Sequence, residues 1–276
     1  MERTKLVHKY LRSEKKFPHL WCPGCGDGIL MGAMIRAIDR LGLDKDNVVV
    51  VSGIGCSGRL PVYVDFNTLH TTHGRALSFA TGIKLANPKL TVIVVMGDGD
   101  ATAIGGNHFI HTARRNIDLC AIVINNNVYG MTGGQYSPTT PMGAKSATSV
   151  YGNIERPFDI CELARGSGAS WVARGTVYHV PMLDNLIMSA ITKKGFCMLE
   201  VAAYCHTTFG RRNKLGKPTD MMRWMRDNSI RTEAFQKLSE EERMGKMEIG
   251  ILADFDYPEY GEMYAEVIRK SGGGAQ

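Results

Sequence analysis

The chain has 276 residues, 44% of them apolar, and a formal net charge of +6. That length supports one large domain, or one domain with extensions, around a sizeable core. The mild basic excess lacks the dense Lys/Arg stripe interleaved with aromatics that nucleic-acid binders carry, so no nucleic-acid partner is expected.

No apolar window reaches the roughly eighteen residues of a membrane span, and the polar amino terminus does not read as a signal peptide. A cytoplasmic protein is therefore expected. The seven cysteines are an odd number and two of them form a CxxC. Metal or redox chemistry is the better expectation than a disulfide framework.

In chain order, residues 1–20 carry mixed charge with little periodicity and read as an extended arm lying on a partner subunit. Trp21-Cys22-Pro23-Gly24-Cys25-Gly26-Asp27-Gly28 follows. Glycines in this turn expose backbone N–H groups that hydrogen-bond to sulfur, which suits an iron–sulfur or other metal site. A thioredoxin-type dithiol and one half of a zinc site fit the same four residues, and on the CxxC alone zinc is favoured. Asp27 is the expected cap of a helix in which Ile29, Leu30, Ala33, Met34, Ala37 and Leu41 recur at helical spacing.

A strand over Val48 to Ser52 delivers Gly53-Ile54-Gly55-Cys56-Ser57-Gly58-Arg59, placing a third thiol on a glycine-rich loop at a strand end. A buried structural cysteine is the competing reading. Leu69-His70-Thr71-Thr72-His73-Gly74-Arg75 then leads into a helix that Pro88 ends. The apolar, β-branched run Leu90 to Met96 predicts a fully buried parallel strand. It stops at Gly97-Asp98-Gly99-Asp100, an acid between two glycines at the carboxyl end of the strand. There, open α/β sheets place their ligands, and missing side chains let backbone amides reach a phosphate. Asp98 suits a hard cation such as Mg²⁺ shared with substrate phosphates. A helix over 107–115 and a second strand, Leu119 to Ile124, bring Asn125-Asn126-Asn127 to the same edge. An ordinary βαβ turn is the alternative.

The segment Gln135 to Tyr151 reads as an active-site cover or interface loop. Alternation then resumes with a helix near 158–165, a strand at 170–173, a helix over 182–193 and a strand at 196–202 that ends in Tyr204-Cys205-His206. Cys120, Cys161 and Cys197 fall inside elements and are assigned to the core. Residues 207–231 are basic and read as a solvated loop, with a docking surface for an acidic partner as the alternative. The stretch 232–264 reads as peripheral helix and coil, and SGGGAQ as a frayed tail. The expected fold is a doubly wound α/β domain with a mainly parallel sheet. Its divisions are 1–20, 21–215 and 216–276.

GDG followed one βαβ unit later by NN resembles the Mg-diphosphate motif of thiamine diphosphate enzymes. The resemblance implies Asp98, Asn126 and the backbone carbonyl of Val128 as Mg²⁺ ligands. It also makes His73, in a THG turn, a cofactor contact. Taken together, WCPGCGDG, GIGCSGR, HTTHGR, GDGDATAIGGNHF and NNNVYGMTGGQYSPTT resemble the β subunit of 2-oxoacid:ferredoxin oxidoreductases over roughly residues 20 to 215.

That family implies a [4Fe–4S] cluster on Cys22, Cys25, Cys56 and Cys205. It also implies a cradle from Gly97, Gly99 and Asp100 beside Asp98, with Ile54, Gly55, Cys56, Ser57, Gly130 and Met131 lining the pocket. Arg59 is the candidate grip for a substrate carboxylate. The implied reaction converts a 2-oxoacid and coenzyme A to acyl-CoA and CO₂, with electrons passing to ferredoxin. An α subunit must supply the activating glutamate and the coenzyme A site, giving a heterodimer or heterotetramer. 2-Oxoglutarate leads as substrate, ahead of branched-chain 2-oxoacids and pyruvate. A non-redox carboligase component with structural zinc and a non-catalytic electron-transfer subunit are the competing functions.

Overall fold

The computed structural model describes residues 2–14 and 17–272. Eight strands form one sheet: β1 (Val48–Ser52), β2 (Asn67–His70), β3 (Thr91–Gly97), β4 (Leu119–Asn125), β7 (Trp171–Thr176), β8 (Phe196–Ala202), β9 (Ser229–Arg231) and β10 (Met247–Asp254). Their order is β2-β1-β3-β4-β8-β7-β10-β9, and only β10 against β7 is antiparallel. A separate two-stranded ribbon joins β5 (Val128–Tyr129) to β6 (Gln135–Tyr136).

Period-two alternation on the buried strands feeds two cores, one on each face. Ile93 and Val95 of β3, with Cys120, Ile122 and Ile124 of β4, face the layer of α2 (Asp27–Arg40) and α6 (Val180–Thr192). Val92, Val94 and Met96, with Leu119, Ala121 and Val123, face α3 (Ala76–Ala86), α4 (Gly106–Arg114) and α5 (Ile160–Gly166). Cys120, Cys161 and Cys197 are buried in these cores. The sheet grows one way from β1 to β2 and the other way from β1 to β3. The carboxyl ends of β1 and β3 therefore flank a topological switch point, the usual crevice for a ligand in this architecture.

Three expectations are corrected. The amino-terminal arm is not extended: Glu2–Tyr10 forms α1, and Tyr10 is fully buried with its hydroxyl donating to Asp39 at 2.8 Å. The stretch after residue 232 is not merely peripheral, because β10 enters the sheet and pairs with β7 and β9. Asp27 does not cap α2. Gly26, at φ 99°, occupies the cap position, while Asp27 is the first helical residue and is buried. A Cβ on Gly26 would lie 2.9 Å from Val177, so both conformation and space call for glycine. Of SGGGAQ, residues 273–276 lie outside the described residues. Among the described residues no helix is long and apolar enough to cross a membrane.

Candidate functional site

Three strand ends meet at the switch point. The loop after β1 brings Ile54, Gly55, Cys56 and Ser57. The end of β3 brings Gly97, Asp98, Gly99 and Asp100. The turn after β4 brings Asn126, Val128, Tyr129, Gly130 and Met131, and His73 reaches in from the turn before α3. Together with Ile124 and Thr132 these residues line one cavity open to solvent. The glycines are required sterically. A Cβ on Gly53 would sit 1.7 Å from Asp100 Oδ2, and one on Gly99 would sit 2.3 Å from the Tyr129 ring.

Asp98 is 2% exposed, and its Oδ2 accepts hydrogen bonds from Ser137 Oγ and Thr139 Oγ1, each at 2.5 Å. Burial pushes its carboxyl above the ordinary range, the two hydroxyls and nearby backbone amides opposing this. A carboxylate buried this deeply is stabilised by a cation placed against it. The amide of Asn126 and the chain at Val128 line the same cavity. Carboxylate, amide oxygen and backbone carbonyl are the oxygen donors that Mg²⁺ takes. Asn127, at φ 61°, turns the chain between them, and its carbonyl accepts from Thr140 Oγ1 at 2.7 Å.

Asp100 has a different task. Its Oδ1 accepts from Gly74 N–H at 2.7 Å and bonds His73 Nδ1, which ties the His73 turn to the β3 end. Its Oδ2 is buried without a partner. Tyr129 stands edge-on to His73, with ring centroids 6.1 Å apart, and its hydroxyl donates to Gly99 O at 3.2 Å. Desolvation, then the charges of Asp98 and Asp100, push its phenol up to about 12, so it remains a neutral donor.

The four thiols singled out in the sequence converge beside this cavity. Cys22 is exposed, Cys25 and Cys56 are half-buried, and Cys205 is buried. Cys205 Sγ lies 2.8 Å from Thr208 Oγ1 and 3.5 Å from Thr207 Oγ1, and Cys22 Sγ reaches the same Thr207 oxygen at 4.0 Å. A Cβ on Gly130 would stand 3.1 Å from Cys205 Sγ and 3.8 Å from Cys56 Sγ. Trp21 Nε1 donates to Cys56 O at 2.8 Å, clamping the CxxC segment to the β1 loop. Burial, then Asp27 and the neighbouring thiols, raise Cys25, and the same causes push Cys56 up to about 12.

Arg59 is not brought in. It sits inside the helical turn Ser57–Val62, does not line the cavity and makes no ion pair among the described residues. Tyr129, Ile124, Thr132, Ser137 and Thr139 were not singled out as site residues from sequence. The signal was present for some of them: Tyr129 sits between Val128 and Gly130, and both hydroxyls belong to QYSPTT. Among the described residues, Asp159, Cys161 and Glu200 also place ligand atoms within 4.8 Å of one another. Arg174 already fills that group, with Nε 2.7 Å from Glu200 and Nη2 2.8 Å from Asp159.

Comparison with known proteins matches this arrangement to a family. Residues 53–201 match the thiamine pyrophosphate enzyme, C-terminal TPP binding domain. The chain is 50% identical over 265 residues to 2-oxoglutarate synthase subunit KorB of Methanothermobacter marburgensis, covering 96% of this chain and 93% of that one. It is 50% identical over 189 residues to the 2-oxoacid:ferredoxin oxidoreductase subunit beta of Saccharolobus solfataricus, covering 68% of this chain and 62% of that one. A solved structure of 2-oxoglutarate:ferredoxin oxidoreductase from Magnetococcus marinus, with 2-oxoglutarate, coenzyme A and succinyl-CoA bound, superposes with a TM-score of 0.86 at 32% identity. It covers 96% of this chain and 90% of its own. The cavity at the β1/β3 switch point thus lies within the matched domain, and the chain belongs to the thiamine pyrophosphate enzymes as a β subunit of the 2-oxoacid:ferredoxin oxidoreductase family.

Proposed function

We propose that this chain serves a cytoplasmic complex that oxidatively decarboxylates 2-oxoglutarate, passes the acyl group to coenzyme A and delivers the electrons to ferredoxin. One observation carries the reading: Cys56 lines the cofactor cavity and belongs to the thiol group at the same time. A carbon-centred electron donor and a one-electron acceptor would then be neighbours across a single loop. Thiamine diphosphate supplies the electron-sink chemistry for 2-oxoacid decarboxylation, and a [4Fe–4S] cluster supplies the acceptor.

The residues divide the remaining work. Asp98, Asn126 and the Val128 carbonyl hold Mg²⁺, with Ser137 and Thr139 fixing the Asp98 carboxylate. Gly97 and Gly99 leave the backbone open to the diphosphate. Ile54, Gly55, Ser57, Gly130 and Met131 form the walls. His73 donates through Nδ1 to Asp100, which leaves Nε2 as its free polar atom. Arg59 lies outside the cavity lining and takes no part in it. Cys22, Cys25, Cys56 and Cys205 hold the cluster. Zinc fits them less well, because a tetrahedral site with Zn–S bonds of about 2.3 Å draws its sulfurs to roughly 3.8 Å from one another. No three of these sulfurs lie within 4.8 Å of one another. An α subunit completes the site with the activating glutamate and the coenzyme A pocket.

The preference for 2-oxoglutarate rests on the names of the relatives. Copurified with its α partner, the chain should support coenzyme A-dependent ferredoxin reduction with kcat/KM highest for 2-oxoglutarate among 2-oxoglutarate, pyruvate and branched-chain 2-oxoacids. A higher value for pyruvate would overturn the substrate assignment.

A further inference from the structure

Of the four thiols, Cys22 in the CxxC turn is the exposed one. The surface around that turn is basic. Between Thr207 and Thr219 the sequence contains Arg211, Arg212, Lys214 and Lys217 and no Asp or Glu. All four cations are exposed, and none makes an ion pair among the described residues. Asp220, the next acid along the chain, is engaged by Lys217 N–H at 2.9 Å and by Arg223 at 3.1 Å.

This segment is held against the thiols rather than waving free. A Cβ on Gly24, inside the CxxC turn, would lie 2.7 Å from Pro218 Cβ, so the start of α7 (Pro218–Asn228) rests on that turn. Asn213 braces the loop from the other side. Its Oδ1 accepts from Lys145 N–H at 2.7 Å, and its Nδ2 donates to Lys145 O and Phe209 O, each at 2.9 Å. Lys145 is a fifth exposed cation on the same surface. Beside the cations runs a groove lined by Met142, Tyr204, Phe209, Leu215 and Trp224. Trp224 is 43% exposed and packs edge-on against Tyr204, the neighbour of Cys205.

An exposed tryptophan in an apolar groove, rimmed by unpaired arginines and lysines, is the composition of a protein-docking site. Unpaired cations steer an acidic partner from a distance and do little for the fold. We propose that this basic-rimmed groove is where a small acidic iron–sulfur protein docks to take one electron at a time from the cluster. The proposal rests on the functional reading above and adds the surface, where the sequence alone favours a solvated loop over a docking surface for an acidic partner.

The test uses the assembled complex carrying Arg211→Glu, Arg212→Glu and Lys214→Glu together. Reduction of an acidic ferredoxin is compared with reduction of saturating methyl viologen, a small acceptor that needs no docking surface. The expected result is a KM for ferredoxin raised about tenfold or more, with its dependence on ionic strength flattened, while viologen reduction is unchanged. An unchanged ferredoxin KM beside intact viologen reduction would overturn the docking surface alone. So would loss of the α subunit from the variant on gel filtration, since the groove would then be a subunit interface. The gentler Arg211→Gln, Arg212→Gln pair, expected to raise KM in the same direction by less, guards against misfolding of the triple variant. Absence of viologen reduction by the unaltered complex would defeat the functional reading itself.

Discussion

Asp98→Asn is expected to abolish Mg²⁺-dependent thiamine diphosphate binding by the complex while leaving its iron content and visible absorbance intact. The carboxylate is nearly sealed from water and takes two hydroxyl hydrogen bonds on Oδ2. An asparagine preserves those acceptor contacts, so the local packing survives. What it removes is the negative charge that a dication needs, while Asp100, the other acid of the cavity, is engaged through Oδ1 by His73 and Gly74. Ligand binding at a hundred times its dissociation constant stabilises a protein by about 2.7 kcal/mol. The unaltered complex should therefore gain several degrees in melting temperature with Mg²⁺ and the cofactor, and the variant none. An undiminished gain would show that the metal is held elsewhere.

Glu200→Ala should be the most damaging single change to the fold itself. Glu200 lies within β8 with its side chain 5% exposed. Oε2 accepts from Arg174 Nε at 2.7 Å and from Cys161 Sγ at 3.2 Å, while Oε1 accepts from Asn125 Nδ2 at 2.7 Å. Removing it leaves the Arg174 guanidinium buried with only the half-exposed Asp159 for company. Breaking such a pair costs about 3–5 kcal/mol. The damage should spread to the site, because Asn125 Oδ1 holds Asn127 N–H at 3.2 Å and so sets the turn that presents Asn126 and Val128. Denaturant midpoints should fall for Glu200→Ala and recover in part when Arg174→Met is added, since two apolar side chains replace a buried pair better than one widowed charge does. A denaturation midpoint unchanged by Glu200→Ala alone would refute this role.

How much of this was legible in the sequence follows from the range of the interactions involved. β1, β3 and β4 are built on apolar runs that bury both faces and are readable from composition alone, and β8 is as fully buried although Glu200 interrupts its apolar run. β2, with the polar sequence NTLH, and β10, a half-exposed strand interrupted by Gly250, carry no such signature. Their pairing is decided by the sheet already formed beside them. Asp98, Asn126 and the cavity glycines were marked by local spacing. Ser137 and Thr139, 39 and 41 residues from Asp98, were not. Asp27 looked like a helix cap because acids favour that place, yet the left-handed Gly26 closes the turn more tightly and moves the acid one position inward. Arg59 was read from proximity in sequence to Cys56, and the helical turn that starts at Ser57 carries it out of the cavity lining.

Metal analysis combined with electron paramagnetic resonance on the complex tests most directly whether the four thiols hold an electron acceptor beside the thiamine site. The prediction is about four iron and four sulfide per chain, with a reduced-cluster signal that appears on adding 2-oxoglutarate and coenzyme A. Cys56→Ser should lose that signal while retaining Mg²⁺-dependent cofactor binding. A colourless complex containing one zinc per chain, or an iron signal unaffected by replacing Cys56, would contradict the account.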